Sequence, residues 1–131
     1  MSEEANLALV RRIYEAWEAG RFGDVSWADP ELEFEIAGGP DQGVYSGLGA
    51  MDEAFTRWLN EFEGFRVEAT GIEARGDVVL TAVRFHGRAK TSGVPLEGFR
   101  GSNLFFIRDG RVVRLELHMD SEGARRRFEE H

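Results

Sequence analysis

Asn103 stands in an apolar stretch, SNLFFI, where the period of a strand puts it on one face with Phe105 and Ile107. An amide buried there needs hydrogen-bond partners or a ligand, so it is either a core residue satisfied by backbone or a binding group. The segment ELEFEIA (31–37) poses a second question. Its acids Glu31, Glu33 and Glu35 alternate with Leu32, Phe34 and Ile36. Such an acid face is either the wet side of an edge strand or the source of a general base. A carboxylate beside apolar walls gains basicity, as proton abstraction next to a carbonyl requires. Tyr14 and Trp17 lie about one helical turn apart and can face the same cavity, where the tyrosine hydroxyl could donate to a ligand oxygen. His118 has the parity of Arg114 and Glu116 and opposes Leu115 and Leu117. It belongs to a surface or interface, or to a pocket if a bulge turns the strand. Asp120, ahead of SEGA, reads first as a helix cap.

Much chemistry is excluded by composition. The chain has 131 residues and no cysteine, which rules out disulfide scaffolds, thiolate metal centres and cysteine nucleophiles. His86, His118 and His131 are its only histidines, a poor supply for a metal site, and there is no phosphate-binding glycine loop or serine elbow. No metal and no cofactor is expected. The net charge of −8 is unevenly placed: residues 1–63 hold 14 acids and 4 bases, residues 64–131 hold 10 acids and 12 bases. Phosphate neutralisation needs clustered bases, so nucleic acid is not an expected partner. The opening MSEEANLALVRR lacks a basic-then-apolar signal, and no apolar run approaches the ~18 residues of a membrane helix. The expectation is one cytoplasmic domain over residues 1–131, with no membrane partner.

The elements that must position these residues follow from periodicity. Leu7, Val10, Ile13, Tyr14 and Trp17 make one stripe of a helix over 4–19, stopped by Gly20. Asp29-Pro30 marks a break before the strand 31–37. A short extended piece at Val44–Ser46 precedes a second helix, about 49–63, with Ala54, Phe55, Trp58, Leu59 and Phe62 on one face and Gly64 at its end. Four strands then form a meander: 65–74, 77–89, 96–107 and 111–119, joined by RGD, KTSGVP and RDGR. Val79, Thr81, Val83 and Phe85 share one face, and Val113, Leu115, Leu117 and Met119 another; these are the natural pocket and core faces. Gly71, Gly87, Gly98 and Gly101 suit bends that wrap the sheet around the helices. A short helix, DSEGARRRFEE, closes the chain.

The order of elements, with RRIYEAWEAG, ADPELEFEI, GVYSGLGAMDEAFTRWL, SGVPLEG and LFFIRDGRVVRLELHMD, resembles the SnoaL-like branch of the nuclear transport factor 2-like superfamily, which includes ketosteroid isomerase. The resemblance covers nearly the whole chain. It implies an α+β, cone-shaped half-barrel (cystatin-like), with a curved, mostly antiparallel sheet wrapped around the N-terminal helices. It also implies an internal cavity for an apolar small molecule and a homodimer packed through the sheet. It leaves the chemistry open, because this fold hosts isomerases, polyketide cyclases, epoxide hydrolases and non-catalytic binding domains. By position, Glu35 falls where the isomerases keep their catalytic aspartate, and Asn103 where they keep a protonated acid that donates to the oxyanion. Asparagine is a weaker donor, and the isomerase tyrosine matches Ile13, one residue from Tyr14. The enzyme reading therefore takes Glu35 as base with Asn103 and Tyr14 as donors, in a cavity lined by Trp17, Trp58, Phe62, Thr81, Phe105 and Leu117. The alternative is a ligand-binding or interaction module with the same fold and no catalysis.

Overall fold

Helix α1 (Glu3–Glu18) begins where the Ser2 hydroxyl accepts from the Ala5 amide, with Glu3 and Glu4 in its first turn favoured by the helix dipole. Its buried stripe is the expected one, including Val10, Ile13, Tyr14 and Trp17. The computed structural model describes residues 2–38, 42–97 and 99–131; Gly98, read above as a bend position, lies outside them.

Strand β1 (Ala28–Ala37) starts earlier than the periodicity predicts. It pairs with the later strand β6 (Arg111–His118) at Ala28 and again from Glu33, with a register slip between. Proline at position 30 has no N–H for the ladder, and the Asp29 carboxylate accepts from the Glu31 amide at 2.8 Å, so the expected break is a bulge inside the strand. Strand β2 (Gly43–Ser46) pairs antiparallel with β1, and α2 (Leu48–Glu61) follows. The meander is β3 (Phe62–Arg75), β4 (Val78–Ala89), β5 (Arg100–Arg108) and β6. The six strands run in the order β2-β1-β6-β5-β4-β3, antiparallel except for the β1–β6 pair. They form a curved, unclosed sheet, the α+β cone that the sequence predicts. Helices α1 and α2 fill its concave side, and α3 (Ser121–Glu129) lies on β4, β5 and β6 from the convex side.

Three local expectations are corrected. Helix α2 stops at Glu61 and Phe62 already pairs with Ala89, so Gly64 does not end a helix. It takes a positive φ of 62° inside a bulge of β3, opposite Gly87, whose φ is 130°. A Cβ at Gly87 would stand 2.8 Å from the Glu63 carbonyl oxygen, which only glycine avoids. This pair of glycines bends the β3–β4 hairpin over the concave side. Strand β5 begins at Arg100, because the only pairing of residues 94–97 within this hairpin connection is the isolated bridge of Pro95 to Arg88. Finally, a bulge between Phe106 and Ile107 aligns Ile107 with Val112, so Val112 is buried in the core while Val113 leaves the core face.

Candidate functional site

The concave face holds a polar circuit in an apolar surround. Thr81, Asn103 and Leu117 are register neighbours across β4, β5 and β6, and Tyr14 reaches them from α1. The Asn103 Nδ2 donates to Tyr14 Oη at 2.9 Å, Tyr14 Oη lies 2.6 Å from Thr81 Oγ1, and Thr81 Oγ1 donates back to the Asn103 carbonyl at 3.5 Å. With those directions the tyrosine proton goes to threonine. Burial pushes the Tyr14 phenol well above its ordinary pKa against the opposing hydrogen bonds of Thr81 and Asn103, so it stays protonated. Among the hydrogen bonds of the described residues none uses Asn103 Oδ1 or its second N–H. These are the groups left for a ligand.

They face an apolar cavity of about 240 Å³, walled by Trp58, Phe62, Phe65, Phe85, Leu117 and Asn103 and extending to Leu96, Phe99, Arg100 and Met119 at its rim. A small void of about 30 Å³ continues behind it, bounded by Trp17, Phe22 and Phe55 and sharing Trp58, Phe65, Phe85, Asn103 and Leu117 with the larger space. The backbone itself forms part of the wall: a Cβ at Gly101 would meet the His118 carbonyl oxygen at 2.9 Å. No described residue on this wall is a carboxylate.

The structure therefore sorts the predicted residues. Asn103, Trp58, Phe62 and Leu117 come together on the cavity wall, and Trp17 bounds the void behind it. Tyr14 is not at the wall; its hydroxyl stands behind Asn103 and holds the amide in place. Thr81 and Phe105 are fully buried behind the same wall and do not line it.

Glu35 is not brought to Asn103. Phe34 and Ile36 take the concave side with Leu115 and Leu117, which are their partners in β6, so alternation turns Glu35 to the convex side beside Glu116. There its carboxylate pairs with Arg114, which also reaches Glu33 at 3.3 Å and Glu116 at 2.7 Å. The acid face of β1 is thus neither a free wet edge nor a pocket wall. It is one side of a charge cluster beneath α3.

Glu116 is the residue that sequence reading missed. It was assigned to a face open to solvent or a partner, yet it is fully buried. Helix α3, capped by Asp120 as expected, folds back so that Ala124 and Phe128 pack on Val78, Leu80 and Leu104. This places Arg127 over Glu116, with contacts of 2.8 to 3.0 Å to both carboxylate oxygens. His118 Nε2 lies 2.9 Å from Glu116 Oε1. Burial alone would raise the Glu116 pKa, but hydrogen bonds from His118, Arg127 and Arg114 outweigh it and hold the carboxyl well below the usual range. The signal available in sequence was the RRR of the last helix opposite a lone acid in RLELH.

A curved sheet closed by two helices over an apolar cavity, with a third helix on the convex side, is the architecture of the cystatin-like α+β cones. The chain belongs to the SnoaL-like domain family, whose model matches residues 10–115. Solved structures agree on the fold. A candidate SnoaL-like polyketide cyclase from Jannaschia sp. CCS1 is 21% identical, with a TM-score of 0.69 over 88% of this chain and 85% of that one. Bal32a, from a soil-derived mobile gene cassette, is 22% identical, with a TM-score of 0.76 over 96% and 97%. A protein of unknown function with a cystatin-like fold from Xanthomonas campestris is 22% identical, with a TM-score of 0.74 over 86% and 88%. No curated protein matches in sequence. No helix of the described residues is long and apolar enough to cross a membrane, and no group of acids and histidines among them could hold a metal ion.

Proposed function

We propose that this protein binds a small, flat, largely apolar molecule in the concave cavity, with Asn103 making the polar contact at its inner wall. The observation that carries the reading is the unused Oδ1 and N–H of Asn103, set among aromatic walls around a space of about 240 Å³. A buried amide with spare hydrogen-bonding capacity favours ligands that bring a carbonyl or hydroxyl there. The fold shared with a candidate SnoaL-like polyketide cyclase is in keeping with a small-molecule ligand. Proton abstraction by Glu35 is not part of this reading, since its carboxylate lies on the other face of the sheet.

Titration calorimetry with aromatic ketones and lactones tests it. Asn103→Leu, which keeps the branched shape of the side chain and removes the hydrogen bond, should weaken a ketone that fits the wild type by about tenfold. Equal affinity in the variant, or no binding of any such ligand by the wild type, rejects the proposal.

We also infer a homodimer through the convex face. Helix α3 covers the middle of that face, so the contact would use the strip of small residues beside it, Gly71, Ala82 and Ser102, which borders a groove of about 680 Å³. Light scattering of the purified chain should give about twice the 14.8 kDa monomer mass. A monomer at high concentration rules the pairing out.

A further inference from the structure

The cavity is polar at one end only. Asn103, Gly101 and Phe99 share one face of β5 and the segment leading into it, and Leu117, the register partner of Asn103, continues to Met119 on the same face of β6. These two rows run from the inner wall to the mouth. Arg100 and His118 also border the space, but alternation turns their side chains to the convex face, where Arg100 lies beside Arg84 in the ladder and His118 reaches Glu116. Outward from Asn103 the two rows are therefore apolar. At the mouth Phe99 is 51% and Met119 60% exposed, two of the five large apolar side chains exposed among the described residues. Their backbones are fixed: the Phe99 amide donates to the Leu96 carbonyl at 2.8 Å, its carbonyl accepts from the Phe85 amide at 3.3 Å, and the Met119 amide donates to the Ala37 carbonyl at 3.4 Å. Apolar side chains held open to water at the entrance of an apolar cavity gain when a ligand covers them.

We propose that the ligand of this cavity is an uncharged carbonyl compound with an alkyl chain, bound carbonyl-first, so that its head meets Asn103 and its chain runs out over Phe99 and Met119. The proposal rests on the binding reading above and adds the ligand's charge, orientation and length. A carboxylate at the inner wall would be buried beside a neutral amide with no counter-ion, whereas a carbonyl finds there the one hydrogen bond it needs. Phe99 precedes Asn103 by four positions, a span of about 13 Å at the usual strand rise. An acetophenone head fills the inner part of that distance, and a butyl chain in the para position reaches the mouth.

The test uses the full chain and calorimetry with 4′-methylacetophenone and 4′-butylacetophenone. A fully buried methylene is worth about fourfold in affinity, and one lying on an open rim about twofold. The three additional methylenes should therefore make the butyl ketone about eightfold tighter than the methyl ketone on the wild type. In the double variant Phe99→Ser, Met119→Ser, which alters two exposed side chains outside the buried core, that ratio should fall to about twofold. At pH 7, 4-butylbenzoic acid, of similar length with a charged head, should bind the wild type about tenfold more weakly than the butyl ketone. If the butyl ketone binds no more tightly than the methyl ketone, if the double variant keeps the wild-type ratio, or if the acid binds as tightly as the butyl ketone, the proposal is overturned and the binding reading survives. If neither ketone binds the wild type, both are overturned.

Discussion

In Glu116→Gln the melting temperature is expected to fall by about 10 °C, a loss of about 3 kcal/mol. The carboxylate is fully buried and receives Arg114, Arg127 and His118 at once. Removing its charge leaves two guanidinium groups facing each other and partly withdrawn from water. Truncating one member of a buried ion cluster costs ~3–5 kcal/mol, and the lower end applies because Arg114 and Arg127 keep 22% and 37% exposure. The pH dependence has a definite sign. Glu116 holds its proton less tightly folded than unfolded, so below about pH 4.5 the unfolded chain takes up a proton that the folded one refuses. Its contribution is complete above that pH and declines as the solution is made more acid. Urea unfolding at pH 7 and pH 3 should therefore show the gap between wild type and Glu116→Gln narrowing at the lower pH. A gap that is absent at pH 7, or unchanged at pH 3, contradicts this account of the cluster. Glu33→Gln, at the exposed edge of the same cluster, should cost less than about 1 kcal/mol.

The cluster also shows where sequence reading stops. Period-two alternation correctly separated Asn103 from Glu116, and Phe34 from Glu35, because side-chain direction along a strand is a local property. The residues that could meet across strands were not local. Whether Glu35 faced a cavity depended on which side of the sheet α1 and α2 occupied, and the apolar partners Phe34 and Ile36 already answered that against a pocket role. The burial of Glu116 depended on α3 turning back over the convex face, a contact between segments with no shared periodicity. Bulges set a second limit. Val113 was misassigned because one extra residue in a ladder reverses parity, and the slip at Phe106 has no fixed sequence signature; Phe62, read as the end of the second helix, opens β3 instead but keeps its place on the cavity wall. Asn103 was legible as an amide needing partners, whereas its bond to Tyr14, 89 residues away, was not. The same ignorance of partners made Tyr14 look available to a ligand, when its hydroxyl is engaged by Asn103 and Thr81.

The second large effect is expected at the boundary between core and cavity. Trp17 is 3% exposed and packs edge-on to Tyr14, Trp27 and Phe55 with ring centroids 5.2 to 6.0 Å apart, and stacks on Phe22 at 5.9 Å. It also bounds the small void behind the ligand cavity. Trp17→Ala removes these contacts and leaves a space that its rigid aromatic neighbours cannot fill, a loss of about 4 kcal/mol. The new space adjoins the void, whose walls Trp58, Phe65 and Phe85 also face the ligand cavity, so core and binding site would become continuous. A void lined by aromatic rings stays dry and accepts an apolar guest. Indole at a hundred times its dissociation constant should then return about 2.7 kcal/mol to the variant, well above any increment it gives the wild type at the same concentration. Urea unfolding of both proteins with and without indole measures the difference. If indole stabilises the variant no more than the wild type, Trp17 is a core residue whose site collapses when emptied. If it stabilises the variant more, the aromatic core that holds the sheet to α1 and the walls that would receive a ligand are one continuous packing, in which Trp17 sets the depth of the site.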